Sequence, residues 1–201
     1  MKRTLMTCML AFLLTGLVEA QQVDRPDIKV GDQWSFVVYY ATPSTVPNRT
    51  WVITSVAQGV IEGTEDGQPL RLTPDLNVLE SPRRKDSNTL ALSFPLHVGK
   101  KWRYETDTLF KDNNSTARSV VEVEVVRRET VRVVAGEFDA FMLVSKGSFR
   151  GLSKGGPGIV SGEATSTYWY APGARAIVKL VAQSPYRGAS TVELVRARPG
   201  R

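Results

Sequence analysis

The sequence predicts a mainly β fold: an antiparallel, strongly curved sheet of the open half-barrel or β-roll kind. Helical periodicity is nearly absent after Gln22, and short alternating runs rich in Val, Thr and aromatic residues recur between clusters of Gly, Pro and Asn. Two stretches also answer each other. VGDQWSF at Val30 to Phe36 and VGKKWRY at Val98 to Tyr104 each read Val-Gly, two polar residues, Trp, a polar residue and an aromatic. Nine residues after each Trp a turn signal begins, at Pro43 in PSTVPN and at Lys111 in KDNN, so the sheet reads as two related strand-turn-strand units.

The chain opens with MKRTLMTCMLAFLLTGLVEA, where Lys2 and Arg3 precede an apolar run from Leu5 to Val18 and a small-residue ending at Val18-Glu19-Ala20. This is the pattern of a secretory signal peptide with cleavage after Ala20, and the run is too short for a spanning helix. The expected organisation is residues 1–20 as leader, 21–196 as one β-rich domain and 197–201 as a flexible basic tail. The product is expected to be exported, periplasmic or extracellular, and soluble. Cys8 lies within the leader, so the remaining chain has no cysteine. Disulfide scaffolds, thiolate metal sites and thiol nucleophiles are thereby excluded. Removing the leader leaves 24 basic against 19 acidic residues. For an exported domain such a charge suits an anionic lipid or an acidic envelope polymer rather than nucleic acid. The basic clusters are Arg83-Arg84-Lys85, Arg127-Arg128 and the tail residues Arg196, Arg198 and Arg201.

In order along the chain, Trp34 with Phe36 and Trp102 with Tyr104 share strand faces, because side chains two apart point the same way. Their size favours core packing over a sugar-stacking platform, and Trp34, Trp102 and Trp169 are expected to be buried. TEDGQPLRLTPDLNVLESPRRKDSN, Thr64 to Asn88, mixes turns with short apolar pieces and has room for a small helical turn. KDNNST, Lys111 to Thr116, separates two strands. In SVVEVEVVRRETVRVV, Val121, Val123 and Val125 fall on one face and Glu122, Glu124 and Arg128 on the other. AGEF, Ala135 to Phe138, turns that strand into DAFMLV. RGLSKGGPGIVSGEA, Arg150 to Ala164, reads as a long flexible loop without the ending of a phosphate-binding loop. Pro172-Gly173 suits a type II turn that returns Tyr168-Trp169-Tyr170 onto Ala176 to Leu180. The last strand is expected over Ser190 to Val195.

Three of these segments, PLHVGKKWRYE, VRVVAGEFDAFMLV and STYWYAPGARAIVKL, carry a family resemblance. In that order they resemble a diffuse group of uncharacterised secreted bacterial proteins with a Gly-x-x-Trp-x-Tyr strand, a Val-x-Val-x-Ala-Gly-x-Phe hairpin and a Tyr-Trp-Tyr-x-Pro-Gly hairpin. The match covers about the C-terminal half, and the group's small Gly-Val-Gly turn is replaced here by Gly173-Ala174-Arg175. The resemblance implies export, an antiparallel sheet curled into an open half-barrel or roll, and no assigned activity. The group is similar in general shape to periplasmic lipoprotein carriers.

Catalytic groups are sparse. His97 is the single histidine, which excludes a His-based metal site. No metal site and no cofactor are expected. Glu122 and Glu124, about 7 Å apart on a strand, and the similarly spaced Glu137 and Asp139 are the carboxylate pairs that suggest a glycosidase. Wet strand faces explain them equally well. The expected function is an exported, non-catalytic binding or carrier domain for a lipid-like or polymeric envelope component. Val121, Val123 and Val125 on one strand and Phe138, Ala140 and Met142 on another are the candidate ligand-binding residues. The alternatives are a subunit that docks a protein partner through an exposed sheet edge, and a carboxylate glycosidase.

Overall fold

The computed structural model describes residues 22–40, 48–57, 59–154, 156, 158–185 and 188–200. The leader, the turn at Pro43 and Arg201 lie outside the described residues. Twelve antiparallel strands follow one another around the wall: β1 (Gln33–Tyr40), β2 (Arg49–Ala57), β3 (Val60–Glu65), β4 (Gln68–Leu72), β5 (Val78–Glu80), β6 (Arg84–Ser87), β7 (Lys101–Phe110), β8 (Ser115–Val133), β9 (Gly136–Ser153), β10 (Gly158–Ala171), β11 (Ala176–Ser184) and β12 (Gly188–Arg198). Each pairs with its sequence neighbour, and β12 returns to β1, so the curved sheet closes into a barrel instead of stopping as a half-barrel. Closure also removes the free edge that strand-addition docking needs. Among the described residues there is no α-helix, and no helix is long and apolar enough to cross a membrane.

Both Val-Gly turns have the same backbone. Gly31 donates to the Ile53 carbonyl and Ile53 donates back to Asp32, while Gly99 donates to Val125 and Val125 donates back to Lys100. Both glycines take positive φ, +88° and +87°, a conformation that L side chains resist. One residue past each anchor the partner strand holds an extra residue, Thr54 in β2 and Val126 in β8. These bulges bend the wall at equivalent places in the two units.

The apolar residues form two cores. The first gathers Trp34, Phe36, Ile53, Ile61, Leu70, Leu72, Val178 and Leu194 with the tips of the β8–β9 and β10–β11 hairpins. The second lies on β7 to β11, where Val123, Val125, Phe141, Leu143, Tyr168 and Tyr170 meet Leu92 and Leu96 from the segment between β6 and β7. That segment is anchored by polar groups. The Asn77 amide donates to the Leu92 carbonyl at 2.8 Å and accepts from the Leu92 N–H at 2.7 Å. The Tyr168 hydroxyl donates to Ala91, and the Trp102 indole donates to Leu90. Because one core lies on each face of the wall here, Ala140 and Phe141 are neighbours in β9 and both are fully buried. Simple alternation fails at such a doubly covered strand.

Beyond the second core, β7 to β9 turn a charged face outward. Lys101, Arg103, Glu105 and Asp107 are exposed on β7, as are Lys146 and Arg150 on β9. An apolar core with a charged exterior is the reverse of a lipid-facing barrel.

Several expectations change. The Gly-rich stretch expected as a loop at 150–164 is largely strand, because β9 runs to Ser153 and β10 starts at Gly158. A Cβ at Gly151 would meet the Thr116 carbonyl oxygen at 2.2 Å, so glycine permits a close approach of β9 to β8. Residues 64–88 hold β4, β5 and β6 and no helical turn. Pro172–Ala174 form a 3-10 turn, and Arg175 rather than Gly173 takes the left-handed conformation. The expected return of Tyr168-Trp169-Tyr170 onto Ala176 to Leu180 is present, with Tyr168 opposite Leu180 and Tyr170 opposite Ile177. The basic C-terminal stretch continues as strand to Arg198, and the Gly200 N–H is held by Asp32.

Candidate functional site

A register line crosses five strands at one end of the wall: Lys85 of β6 opposes Leu109 of β7, then Thr116 of β8, Leu152 of β9 and Ile159 of β10. The neighbouring line on the same face is Ser87, Asp107, Arg118, Arg150 and Ser161. Residues two apart share a face, so the apolar line and the charged line lie side by side, about 7 Å apart. Together they border a groove of about 560 Å³. Leu109, Leu152 and Ile159 are exposed, Ile159 by 67%, which is unusual for three large aliphatic groups in one row.

The charges of the groove are unevenly matched. Arg118 pairs with Glu105 at 2.9 Å. This hydrogen bond, with the Asp107 charge nearby, holds the Arg118 guanidinium above its ordinary value. Asp86 is engaged by Arg84 at 2.8 Å. Lys85 and Arg150 border the groove; among the described residues neither forms an ion pair, although Glu80 lies opposite Lys85 in the register. An apolar strip beside two cations can take an anionic amphiphile, with its chain along the strip and its head group over the cations.

The residues expected to bind ligand are elsewhere. Val123 and Val125, 2% and 0% exposed, are packed in the second core, and Val121 lies against it. Ala140 belongs to the first core, with Phe138 against it. Met142 opposes Arg127 and Trp169 and belongs to neither core. The two trios are therefore not brought together. The extra residue Val126 shifts the register of β8 against β9, and β9 contributes to opposite cores on its two faces. The same shift turns Arg128 back over the Phe141 ring, 5.3 Å from its centroid, on the face expected to be apolar.

The carboxylate pairs sit among cations on wet strand faces. Glu124 pairs with Lys101 at 3.2 Å, Glu122 opposes Arg103 and Lys146, Glu137 pairs with Arg132 at 2.9 Å, and Asp139 pairs with Arg128. His97 lies in the turn before β7, its Nδ1 3.2 Å from the Val98 carbonyl. Among the described residues no group of three His, Cys, Asp or Glu side chains could hold a metal ion. Of the tryptophans, Trp34 is buried at 3% exposure, whereas Trp102 and Trp169 are half-buried against their cores. Burial pushes the phenols of Tyr168 and Tyr170 well up.

Sequence reading missed Leu109, Leu152, Ile159, Arg118 and Arg150. One local signal was present: Lys146, Ser148, Arg150 and Leu152 recur at period two on an exposed face.

A closed, meandering antiparallel barrel whose second core is covered by the segment between β6 and β7 defines the structural class. Within that class the chain shares its fold with two solved bacterial proteins. One, from Bacteroides fragilis, is named as exported with a YmcC-like fold; it matches at a TM-score of 0.54 and 17% identity, over 89% of this chain and 100% of that one. The other, from Parabacteroides distasonis, is named as a lipoprotein; it matches at 0.53 and 12% identity, over 89% and 100%. No family model and no curated protein matches the chain.

Proposed function

We propose that this protein is an exported, non-catalytic binding domain that holds an anionic, lipid-like envelope component along the β6–β10 groove. The carrying observation is the exposed line Leu109, Leu152 and Ile159 beside the cations of Lys85 and Arg150. Export is supported by the basic, apolar and small-residue pattern of residues 1–20 and by the names of the two similar folds. Apolar contact supplies affinity at roughly 0.8 kcal/mol per buried methylene, and the cations select a negative head group and speed its approach.

The test is titration of the purified chain with a fluorescent fatty-acid analogue. Saturable binding is expected, weakened about tenfold or more by Leu152→Glu. Arg150→Glu is expected to weaken it further at low salt than at high salt. Absence of saturable binding, or indifference to both substitutions, removes this reading.

A further inference from the structure

Away from the groove, the wall brings two arginines to one carboxylate. Arg49 opens β2 opposite Phe36, and Trp51, two residues on, lies opposite Glu65 of β3. Arg83 reaches the same place from the turn between β5 and β6. Glu65 is 3% exposed, and both its oxygens are engaged: Oε1 accepts from Arg83 at 2.5 Å, and Oε2 accepts from the Trp51 indole at 3.1 Å. Arg49 donates to the Tyr40 hydroxyl at 3.1 Å, and its Nε is buried without a hydrogen-bond partner.

The cluster therefore holds two guanidinium charges against one carboxylate. Burial first, and the Arg83 charge second, pull the Arg49 guanidinium below its ordinary value, while Tyr40 and Glu65 act in the opposite sense. An arginine does not shed its proton to relieve such a cost, so the charge persists and an acceptor is what lowers the energy. The preceding stretch, ATPSTVP at 41–47, contains no Asp or Glu that could serve. Tyr40 is 41% exposed and the Arg83 side chain 43%, so the cluster is open to solvent on one side.

We infer that Arg49, Arg83 and Tyr40 form a site for a single oxyanion group, a phosphate or a carboxylate. Two neighbouring guanidiniums offer forked N–H pairs that match the spacing of oxyanion oxygens. The Tyr40 hydroxyl, which accepts from Arg49, keeps its own hydrogen free to donate a further bond. Glu65 holds Arg83 and Trp51 in place and, by leaving one positive charge over, keeps the site selective for a singly or doubly negative group. The site shares no residue with the groove, so either can fail without the other.

The experiment titrates the leader-free chain with inorganic phosphate and, separately, acetate, at constant ionic strength set by chloride. Melting temperature and the ¹⁵N resonance of the Arg49 Nε are followed. Phosphate or acetate is expected to raise the melting temperature and to shift the Arg49 resonance saturably. Arg49→Gln is expected to weaken the response about tenfold or more. Without added phosphate or acetate the same variant is expected to melt at or above the wild type, because it removes an unmatched buried charge. Tyr40→Phe, which keeps both arginines, is expected to weaken binding a few-fold. Vesicles of phosphatidylglycerol and of phosphatidylcholine separate the sources. Loss of phosphatidylglycerol binding in Arg49→Gln assigns the anion to a lipid head group, whereas a response to free phosphate alone assigns a soluble ion. No saturable response to either anion, an unchanged response in Arg49→Gln, or a large fall in its melting temperature without the anions would overturn the inference.

Discussion

At Val30 to Trp34 a carboxylate stands where Val98 to Trp102 has an ammonium. Asp32 and Lys100 occupy the same place in two turns with the same backbone hydrogen bonds, yet each gathers a different kind of chain end. Asp32, fully buried, accepts from the Lys29 N–H at 2.8 Å, the Gly200 N–H at 2.7 Å and the Arg175 guanidinium at 2.6 Å. It thereby ties the entry to β1, the C-terminal stretch and the β10–β11 turn to one point. Lys100 instead donates to the Ser93 carbonyl, the Ser93 hydroxyl at 3.2 Å and the Pro95 carbonyl at 2.9 Å, and holds down the segment that covers the second core. The paired tryptophans diverge in the same way. Trp34 is buried and donates to Ala174 at 2.9 Å, whereas Trp102 is half-buried beneath the Lys100 ammonium, 5.4 Å from its ring. A shared turn fixes backbone geometry, and the residue after the glycine decides whether it collects donors or acceptors.

The largest test of this contrast lies in the indoles. Trp34→Ala is expected to cost about 4 kcal/mol and Trp102→Ala about 2 kcal/mol, because deletion cost follows burial. Urea unfolding of the two variants measures the gap, and equal losses would mean that the two braces carry the same load.

A smaller difference is expected at the charges. Asp32→Ala leaves Arg175 and two N–H groups without their acceptor and is expected to cost about 3 kcal/mol. Lys100→Met, which leaves carbonyls closer to solvent, is expected to cost about 1 kcal/mol. If Lys100→Met proved the more damaging of the two in the same denaturation series, the ranking of the two staples would be reversed.

The smallest effect is in pH. Burial lowers the Lys100 ammonium below its ordinary 10.5, with Asp75 partly opposing. In the window between its lowered folded value and its unfolded value, the unfolded chain binds more protons, so this residue's contribution to stability rises with pH. A shallow rise in melting temperature on approaching pH 10.5, absent in Lys100→Met, is the expected result. A fall across that window specific to Lys100 would show that its hydrogen bonds outweigh its desolvation.

Much of the wall was legible from local chemistry. The turns at 111–114 and 134–135 fall where Asn114 and Gly136 admit the positive φ that Val and Thr resist, and the Val-Gly pairs open strands for the same reason. The Gly151 and Gly158 region was misread because glycine ordinarily weakens a strand, and only the partner backbone of β8 reveals why its absent Cβ is needed. Burial of Glu65 and the double covering of β9 depend on which strand lies opposite, which local patterning does not specify. The groove was hidden for the same reason. Leu109 is far in the chain from Leu152 and Ile159, and the three come into one row only through the register of three strand pairs.

Closure of the barrel also bears on how the chain assembles. Every strand pair except one joins sequence neighbours, so most of the wall can zip hairpin by hairpin at low loop-closure cost. The exception pairs Gln33 with Arg198, near the two ends of the described chain. If the chain crosses a membrane N-terminus first, β1 emerges early and its edge waits for the last strand to arrive. During that wait it is an open template for another copy's strand. The seam between β1 and β12 is therefore where kinetic competition between folding and aggregation is set, and the Asp32 clasp on Gly200 fastens the chain at that seam.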